Sequence, residues 1–248
     1  MGDSSSGSAD RPAFYALEPG GLRDWWSLLH PPYTVWHLSY VVIGASLAPD
    51  VDMRWLGETL LAFFLAMGLA AHALDELHGR PLRTQISDAA LVAVAVVGLA
   101  GAVALGIDGM IEVSLWLGVF IAVGAFLVVA YNLELFGGVF HSDLWFALAW
   151  GAFPVLTAYF AQTAELGVAA LLAAAGCAAL SAAQRALSTP VRRLRRHVAD
   201  VRGEMILGDG IREPVDASTL REAPESGLRL MSLAVPLLAA GLLAARLF

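Results

Sequence analysis

Seven long apolar runs constrain the fold of this chain more than any other feature of its sequence. Each run has close to the roughly 20 residues that a helix needs to cross about 30 Å of hydrocarbon. The composition agrees, because 58% of the residues are hydrophobic and only 15% are charged, which is too apolar for an ordinary soluble domain. The sequence therefore predicts an all-α, polytopic membrane helix bundle of about seven transmembrane helices. The runs are 32–48, 55–77, 89–107, 113–135, 144–162, 166–183 and 231–248.

The distribution of arginine predicts the orientation in the cell membrane. All 15 basic residues are arginines, and seven crossings put 13 of them on one side and only Arg54 and Arg246 on the other. Because positive charge accumulates on the cytoplasmic side, we expect a cytoplasmic N-terminus and an outer C-terminus. If the first run does not cross, the division becomes 11 to 4, which follows the rule less well.

The predicted organisation is simple. Residues 1–29 form a cytoplasmic tail and interfacial lead-in, of which 1–12 are expected to be disordered, and residues 30–248 form one transmembrane domain. Within it, 184–227 is a long cytoplasmic loop, and the helical spacing of apolar residues predicts an interfacial helix over 191–203. The net charge of −7 argues against a nucleic-acid partner. The single cysteine, Cys177, excludes an internal disulfide framework and is interpreted as a packing residue.

Ionisable residues cluster where the second run reaches the cytoplasm. On a helix, His72 shares a face with Asp75 and Glu76, and Asp75 shares one with His78. Such groups are costly at this depth unless they are paired, hydrated or bound to an ion. The alternative is that the helix has already ended at Asp75 and the cluster belongs to a solvated loop.

A second set of polar residues lies at the end of the fourth run and in the loop that follows it. Asn132 and Glu134 follow a long apolar stretch, and Gly137 and Gly138 would let the loop fold tightly. The loop would then bring His141 back toward Glu134, together with Asp143. Alternatively, Asp143 simply caps the next helix.

Further along the chain lies an arginine cluster, which has two possible interpretations. It is either an anchor against anionic headgroups or a clamp for a phosphorylated substrate; Arg80 is the better candidate for the clamp. Near the first run, His37 and its neighbour Trp36 are interpreted as part of an interfacial aromatic belt. The cluster comprises Arg185, Arg192, Arg193, Arg195 and Arg196.

Missing motifs narrow the functional classes. The chain has no Walker phosphate loop, no G-x-S-x-G elbow and no H-E-x-x-H pair, and it shows no repeated, broken helices of the kind found in secondary transporters. A membrane enzyme with a cytoplasm-facing site fits the sequence better.

Three stretches of the sequence resemble the UbiA superfamily of intramembrane prenyltransferases. The lead-in from His30 to Thr34 and the Gly44-Ala45 ending look like the family's first helix, and residues 131–160 look like its fourth-to-fifth helix passage. The family's N-D-x-x-D-x-x-x-D motif, aligned through Asp75 and the following Arg80-Pro81, retains only Asp75. Residues 184–190 stand where the family has its second aspartate motif, and the family usually has nine helices.

The resemblance implies ionisation of an isoprenyl diphosphate, with Mg²⁺ and arginine stabilising the leaving group. A second class is a metal-dependent lipid hydrolase or oxidase in which Zn²⁺ or Fe is bound by histidines. A third class is a non-catalytic lipid-binding subunit that has lost the metal motif. The residues assigned are Asp75, Glu76 and His72 for catalysis, Arg80, Arg83, Asn132 and His141 for substrate binding, and Asp75, Glu76, Glu134, His78 and Asp143 for the metal.

Overall fold

The computed structural model of the chain describes residues 11–248 and is mostly helical. The first ten residues of the predicted tail lie outside the described range. The helices are α1 (Leu22–Leu28), α2 (Pro31–Ser46), α3 (Met53–Leu77), α4 (Asp88–Glu112), α5 (Leu117–Asn132), α6 (Asp143–Thr163), α7 (Val168–Arg196) and α8 (Ala217–Leu247), and the strands are β1 (Gly203–Ile206) and β2 (Arg212–Val215).

The chain is a membrane helix bundle. Five of its helices, α3, α4, α6, α7 and α8, are long and apolar enough to cross a bilayer. Helix α5 is apolar but has only 16 residues, and α2 also has 16. The predicted all-α bundle is accompanied by one small antiparallel sheet, formed by the strands β1 and β2.

Helices α3 and α6 each contain a π-helical segment. Residues Phe64–Ala71 form the segment in α3, and Ala147–Ala152 form the one in α6. A π-segment widens the turn and shifts the side chains that follow it to a new angle, and such segments often occur at functional sites. Nothing in the apolar pattern of the sequence indicates either segment.

The centre of the bundle lies around α2. Its Trp36 and Tyr40 are fully buried and pack against α6, α7 and α8. The indole Nε1–H of Trp36 donates to the Tyr40 hydroxyl. Buried Cys177 belongs to the same cluster, in agreement with its prediction as a packing residue.

Two glycines allow helices to approach closely. A Cβ on Gly151 would lie 2.6 Å from the backbone oxygen of Cys177 on α7, and one on Gly98 would lie 2.7 Å from that of Leu65 on α3. Gly98 and Gly151 therefore allow close helix packing. Gly176 does not, because no atom of residues 11–248 lies within 4 Å of a Cβ added there.

The predicted outer connections meet at one end of the bundle. Arg54 forms an ion pair with Asp108 at 2.8 Å, and the Gln162 amide donates to the carbonyl of Asp52. The guanidinium of Arg246, near the C-terminus, donates to the carbonyl of Ser46. The ends of α2, α3, α4, α6 and α8 are thus joined on this side.

Segment 184–227 is more ordered than a long loop. Helix α7 continues through Pro190 to Arg196, and α8 begins at Ala217. The hairpin β1–β2 lies between the two helices. Residues 191–203 are therefore not a separate interfacial helix: they contain the last turns of α7 and the start of the hairpin.

Candidate functional site

A polar cavity of about 470 Å³ lies at the end of the bundle opposite to the outer connections. The N-terminal lead-in, α2, the end of α3, the 133–142 loop and α7 all contribute to its wall. Pro12 to Tyr15 also line it, so this part of residues 1–29 forms part of the wall of the site. The predicted cytoplasmic segments thus meet around one cavity.

Most of the predicted polar residues line this cavity. The structure brings together residues from the end of α3 and from the passage after α5, as the sequence predicts. The predicted site residues that lie elsewhere are Glu76, Arg80, Arg83 and Asp143. Those that line the cavity are His72, Asp75, His78, Asn132, Glu134 and His141.

The π-segment of α3 ends directly before His72, which has a defined hydrogen bond. Its Nδ1 lies 3.1 Å from the carbonyl oxygen of Gly68, so Nδ1–H donates and Nε2 carries the lone pair when the ring is neutral. The ring stacks on His30, with centroids 4.2 Å apart and an interplanar angle of 11°.

His30 stands at the N-terminus of α2 with a left-handed backbone (φ 46°). The Tyr15 hydroxyl lies 2.9 Å from its Nδ1; a tyrosine hydroxyl can donate or accept, so this contact is compatible with either tautomer of the ring. The Nε2 of His30 is buried and has no hydrogen-bond partner within residues 11–248. Burial lowers the pKa of His30 well below its usual value and raises the pKa of Tyr15.

The loop after α5 folds back as its glycines indicate. Gly137 and Gly138 have φ values of 69° and 77°, and His141 stacks on Tyr131 at 4.5 Å. The His141 Nδ1–H donates to the carbonyl of Tyr131 at 3.1 Å. Glu134 lies 3.9 Å from His141 and 4.0 Å from His78.

Tyr131 and Asn132 form the floor of this part of the cavity. Asn132 is 6% exposed, and its amide donates to the carbonyl of Val128. Tyr131 is 4% exposed, and its hydroxyl has no partner among the described residues. A buried hydroxyl without a partner is rare in folded proteins and needs an explanation.

One face of α7 completes the wall with basic side chains. Gln184, Ser188, Arg192 and Arg196 recur four residues apart and all line the cavity, as does Arg185. The members of the predicted arginine cluster therefore do not all face the cavity. Arg193 is exposed, and Arg195 pairs with Glu225. This periodic face could have been found in the sequence if α7 had been extended past Pro190.

Glu76 has a structural role instead of the predicted catalytic and metal-binding one. It is 1% exposed, and its carboxylate accepts from the amides of Leu82 and Thr84 at 2.9 and 2.8 Å and from the Thr84 hydroxyl at 2.9 Å. Adjacent helical residues point about 100° apart, so Glu76 faces the 78–87 loop while Asp75 faces the cavity.

The two arginines of that loop also lie outside the cavity. Arg80 donates to the carbonyl of Ile86 at 2.6 Å and pairs with Asp88, so it fixes the loop. Arg83 is exposed, with a left-handed backbone. Neither lines the cavity, which corrects the prediction that they contact phosphate there.

The predicted metal ligands are not gathered into one set. Asp143 pairs with Arg185 at 2.8 Å and is 80% exposed, while Glu76 binds the loop. The N-cap of α6 is Ser142, so Asp143 is not that cap either. Asp75 and Glu134 are the predicted carboxylates that remain at the cavity. Across residues 11–248, no group of three His, Cys, Asp or Glu side chains is arranged to hold a metal ion.

His37 was interpreted incorrectly as part of an aromatic belt. It is 5% exposed, lines the cavity, and its Nε2 lies 3.0 Å from the amide oxygen of Gln184 on α7. His30, Tyr15 and Gln184 were not predicted as site residues. The roles of His30 and Tyr15 depend on the path of the lead-in, which no local pattern indicates.

An apolar cavity of about 120 Å³ adjoins the polar one. It lies between α3, α4, α5 and α6, and its wall includes Ala102, Phe120 and Phe153. Met67 and Trp150 line both cavities. These two residues come from the π-segments of α3 and α6, so the two irregular segments meet at the boundary between the cavities.

Comparisons with known proteins identify no family. The chain matches no protein-family description, no curated protein and no solved structure.

Proposed function

We propose that this chain is a UbiA-like membrane prenyltransferase that binds an isoprenyl diphosphate across the two adjoining cavities. The observation that supports it is the shared wall of Met67 and Trp150 between a polar, arginine-containing cavity and an apolar one. A lipid diphosphate has the same division, with an anionic head and an apolar chain. Ligand sites with apolar walls and a few placed polar groups are typical of such binding.

The volume of the apolar cavity suits a short part of a prenyl chain. Its 120 Å³ is comparable to the roughly 150 Å³ apolar cavity that holds one benzene molecule. We therefore assign about one isoprene unit to the enclosed part, next to Trp150 and Phe153. Aromatic faces stabilise a neighbouring cation, as an allylic cation requires.

The proposed reaction is a substitution at the first carbon of the prenyl chain. The bond between that carbon and the diphosphate oxygen breaks, and the electron pair leaves with the diphosphate. A nucleophilic acceptor then forms the new bond to the allylic cation. The proton lost from the acceptor goes to the Nε2 lone pair of His72, whose Nδ1–H is held by Gly68.

The proposed topology has seven crossings, with α2 and α5 added to the five longer helices. The arginine distribution then gives a cytoplasmic N-terminus and an outer C-terminus. The polar cavity faces the cytoplasm in this arrangement. It is supported by the meeting of the predicted cytoplasmic segments at one end of the bundle and of the predicted outer connections at the other.

A pair of variants on α4 tests the function. Ala102 lines the apolar cavity, whereas Ala104, two residues away, is exposed on the outside of the same helix. Ala102→Phe should reduce binding of geranyl diphosphate by purified protein in nanodiscs at least tenfold, and Ala104→Phe should not change it. Absence of binding by the unmodified protein would contradict the proposal.

The same preparation separates the other functional classes. Release of phosphate without an acceptor would indicate a lipid hydrolase, and binding without turnover across a panel of acceptors would indicate a lipid-binding subunit. Transfer of labelled prenyl to an acceptor, reduced by Ala102→Phe, is the expected result.

A further inference from the structure

Two buried polar groups at the polar cavity have no hydrogen-bond partner among residues 11–248. Tyr131 lines the cavity, and its hydroxyl is buried without a partner among residues 11–248. His30 Nε2 is also buried and unpartnered within the described range, and it is the hydrogen-bond donor in the tautomer whose Nδ1 accepts from the Tyr15 hydroxyl. Unpartnered buried donors are costly, so an acceptor supplied by a ligand accounts for them.

Basic charge lies on the same wall. The hydrogen bond that the structure gives the Arg192 side chain goes to the hydroxyl of Thr189 at 3.4 Å, and no carboxylate pairs with it among residues 11–248. Arg196 donates Nε to the carbonyl of Pro12 at 3.3 Å. Both guanidinium groups thus keep donors for a ligand, and guanidinium matches phosphate oxygens well.

The polar cavity has two of the four predicted carboxylate ligands on its wall. Asp75 and Glu134 line it, and Glu134 lies beside His78 and His141. The other two predicted metal ligands are bound elsewhere, Glu76 by the 78–87 loop and Asp143 by Arg185.

We propose that Arg192 and Arg196, with the Tyr131 hydroxyl and His30 Nε2–H, bind the phosphate groups of the ligand directly, without a bridging metal ion. This inference rests on the proposed function for the identity of the lipid, but the anion site itself does not depend on it. It reassigns phosphate binding from Arg80 and Arg83, and from a carboxylate-held metal, to one face of α7 and the N-terminus of α2.

Binding of inorganic pyrophosphate to the full chain in nanodiscs, measured by calorimetry with EDTA present, tests the proposal. Arg192→Gln should weaken binding about 10- to 100-fold, as expected for loss of a charged hydrogen-bond donor. Arg193→Gln is the matched control, because it removes the same charge from the exposed neighbouring position and should leave binding nearly unchanged. Equal effects of the two variants would overturn the proposal.

Two further variants keep the test independent of folding. Tyr131→Phe removes only an unpartnered hydroxyl, so it should leave the protein folded and weaken pyrophosphate binding by about 3- to 10-fold. Asp75→Asn removes a negative charge from the wall and should strengthen binding, by about tenfold at close range. Weaker binding in Asp75→Asn, or binding that requires added Mg²⁺, would show a metal-bridged site and overturn the proposal.

The two proposals fail in different ways. Pyrophosphate bound as predicted, with geranyl diphosphate bound no more tightly and insensitive to Ala102→Phe, would retain the anion site and contradict the prenyl-lipid function. Geranyl diphosphate lost in Ala102→Phe but unaffected by Arg192→Gln and Tyr131→Phe would retain the function and contradict the anion site.

Discussion

Two neighbouring carboxylates at the end of α3 serve two very different regions. Glu76 faces the 78–87 loop and accepts three hydrogen bonds from it, while Asp75 faces the polar cavity. The Glu76 carboxylate has hydrogen-bond partners for both of its oxygens, whereas the cavity side includes a buried tyrosine hydroxyl and a histidine nitrogen that have no partner among residues 11–248. This difference supports our proposal that the cavity, and not the loop, binds a ligand.

The largest expected effect is a loss of stability on the side of α3 that faces the 78–87 loop. Glu76→Gln puts an amide NH₂ where the carboxylate accepts from backbone amides, so buried donors lose their partner. We expect a loss of about 2–4 kcal/mol in the free energy of unfolding, measured by thermal or denaturant unfolding in detergent. Asp75→Asn is the control and should unfold within about 0.5 kcal/mol of the unmodified protein; equal destabilisation would remove the distinction between the two residues.

A smaller effect is expected at the boundary between the π-segment of α6 and α7. Gly151→Ala places a Cβ 2.6 Å from a backbone oxygen of α7, which must force the helices apart. We expect about 1–3 kcal/mol of destabilisation and weaker binding of geranyl diphosphate, because neighbouring Trp150 lines both cavities. Gly176→Ala on α7 meets nothing within 4 Å and should be neutral or slightly stabilising; destabilisation there instead would contradict the packing.

The smallest expected effect is a dependence of stability on pH, caused by the buried His30 at the polar cavity. Burial lowers the pKa of His30, so the folded protein holds it neutral while the unfolded chain takes up a proton near pH 6.5. Stability should therefore fall as the pH decreases below about 6.5. The melting temperature between pH 7.5 and 5.5 measures this, and His30→Gln should reduce the dependence. His197→Gln, at an exposed position, should not; the same slope in all three proteins would refute the assignment.

Much of the helical frame could be predicted because hydrocarbon thickness and apolar run length determine it. The end of α7 was missed because the apolar run stops at residue 183, whereas the helix continues through Pro190 to Arg196. That error hid the four-residue repeat from Gln184 to Arg196. The hairpin after α7 was also missed, since its four-residue strands are too short to show a period.

Part of the candidate site could also be predicted from general physical rules. His72, Asp75, Glu134 and His141 were found because charges near an apolar run are expensive and tend to share surroundings. The fate of Glu76 could not be predicted, because it depends on how the 78–87 loop returns to α3. Positive φ angles at Gly79, Arg80 and Arg83 direct that return, and only the folded chain reveals them.

The most direct test is an experimental structure of the protein in lipid nanodiscs with a non-hydrolysable geranyl diphosphate analogue. The account predicts phosphate density against Arg192 and Tyr131, and density for the prenyl chain passing between Met67 and Trp150 toward Phe153. Phosphate density at Arg80 and Arg83, or a chain that lies outside the bundle against the lipid, would contradict it.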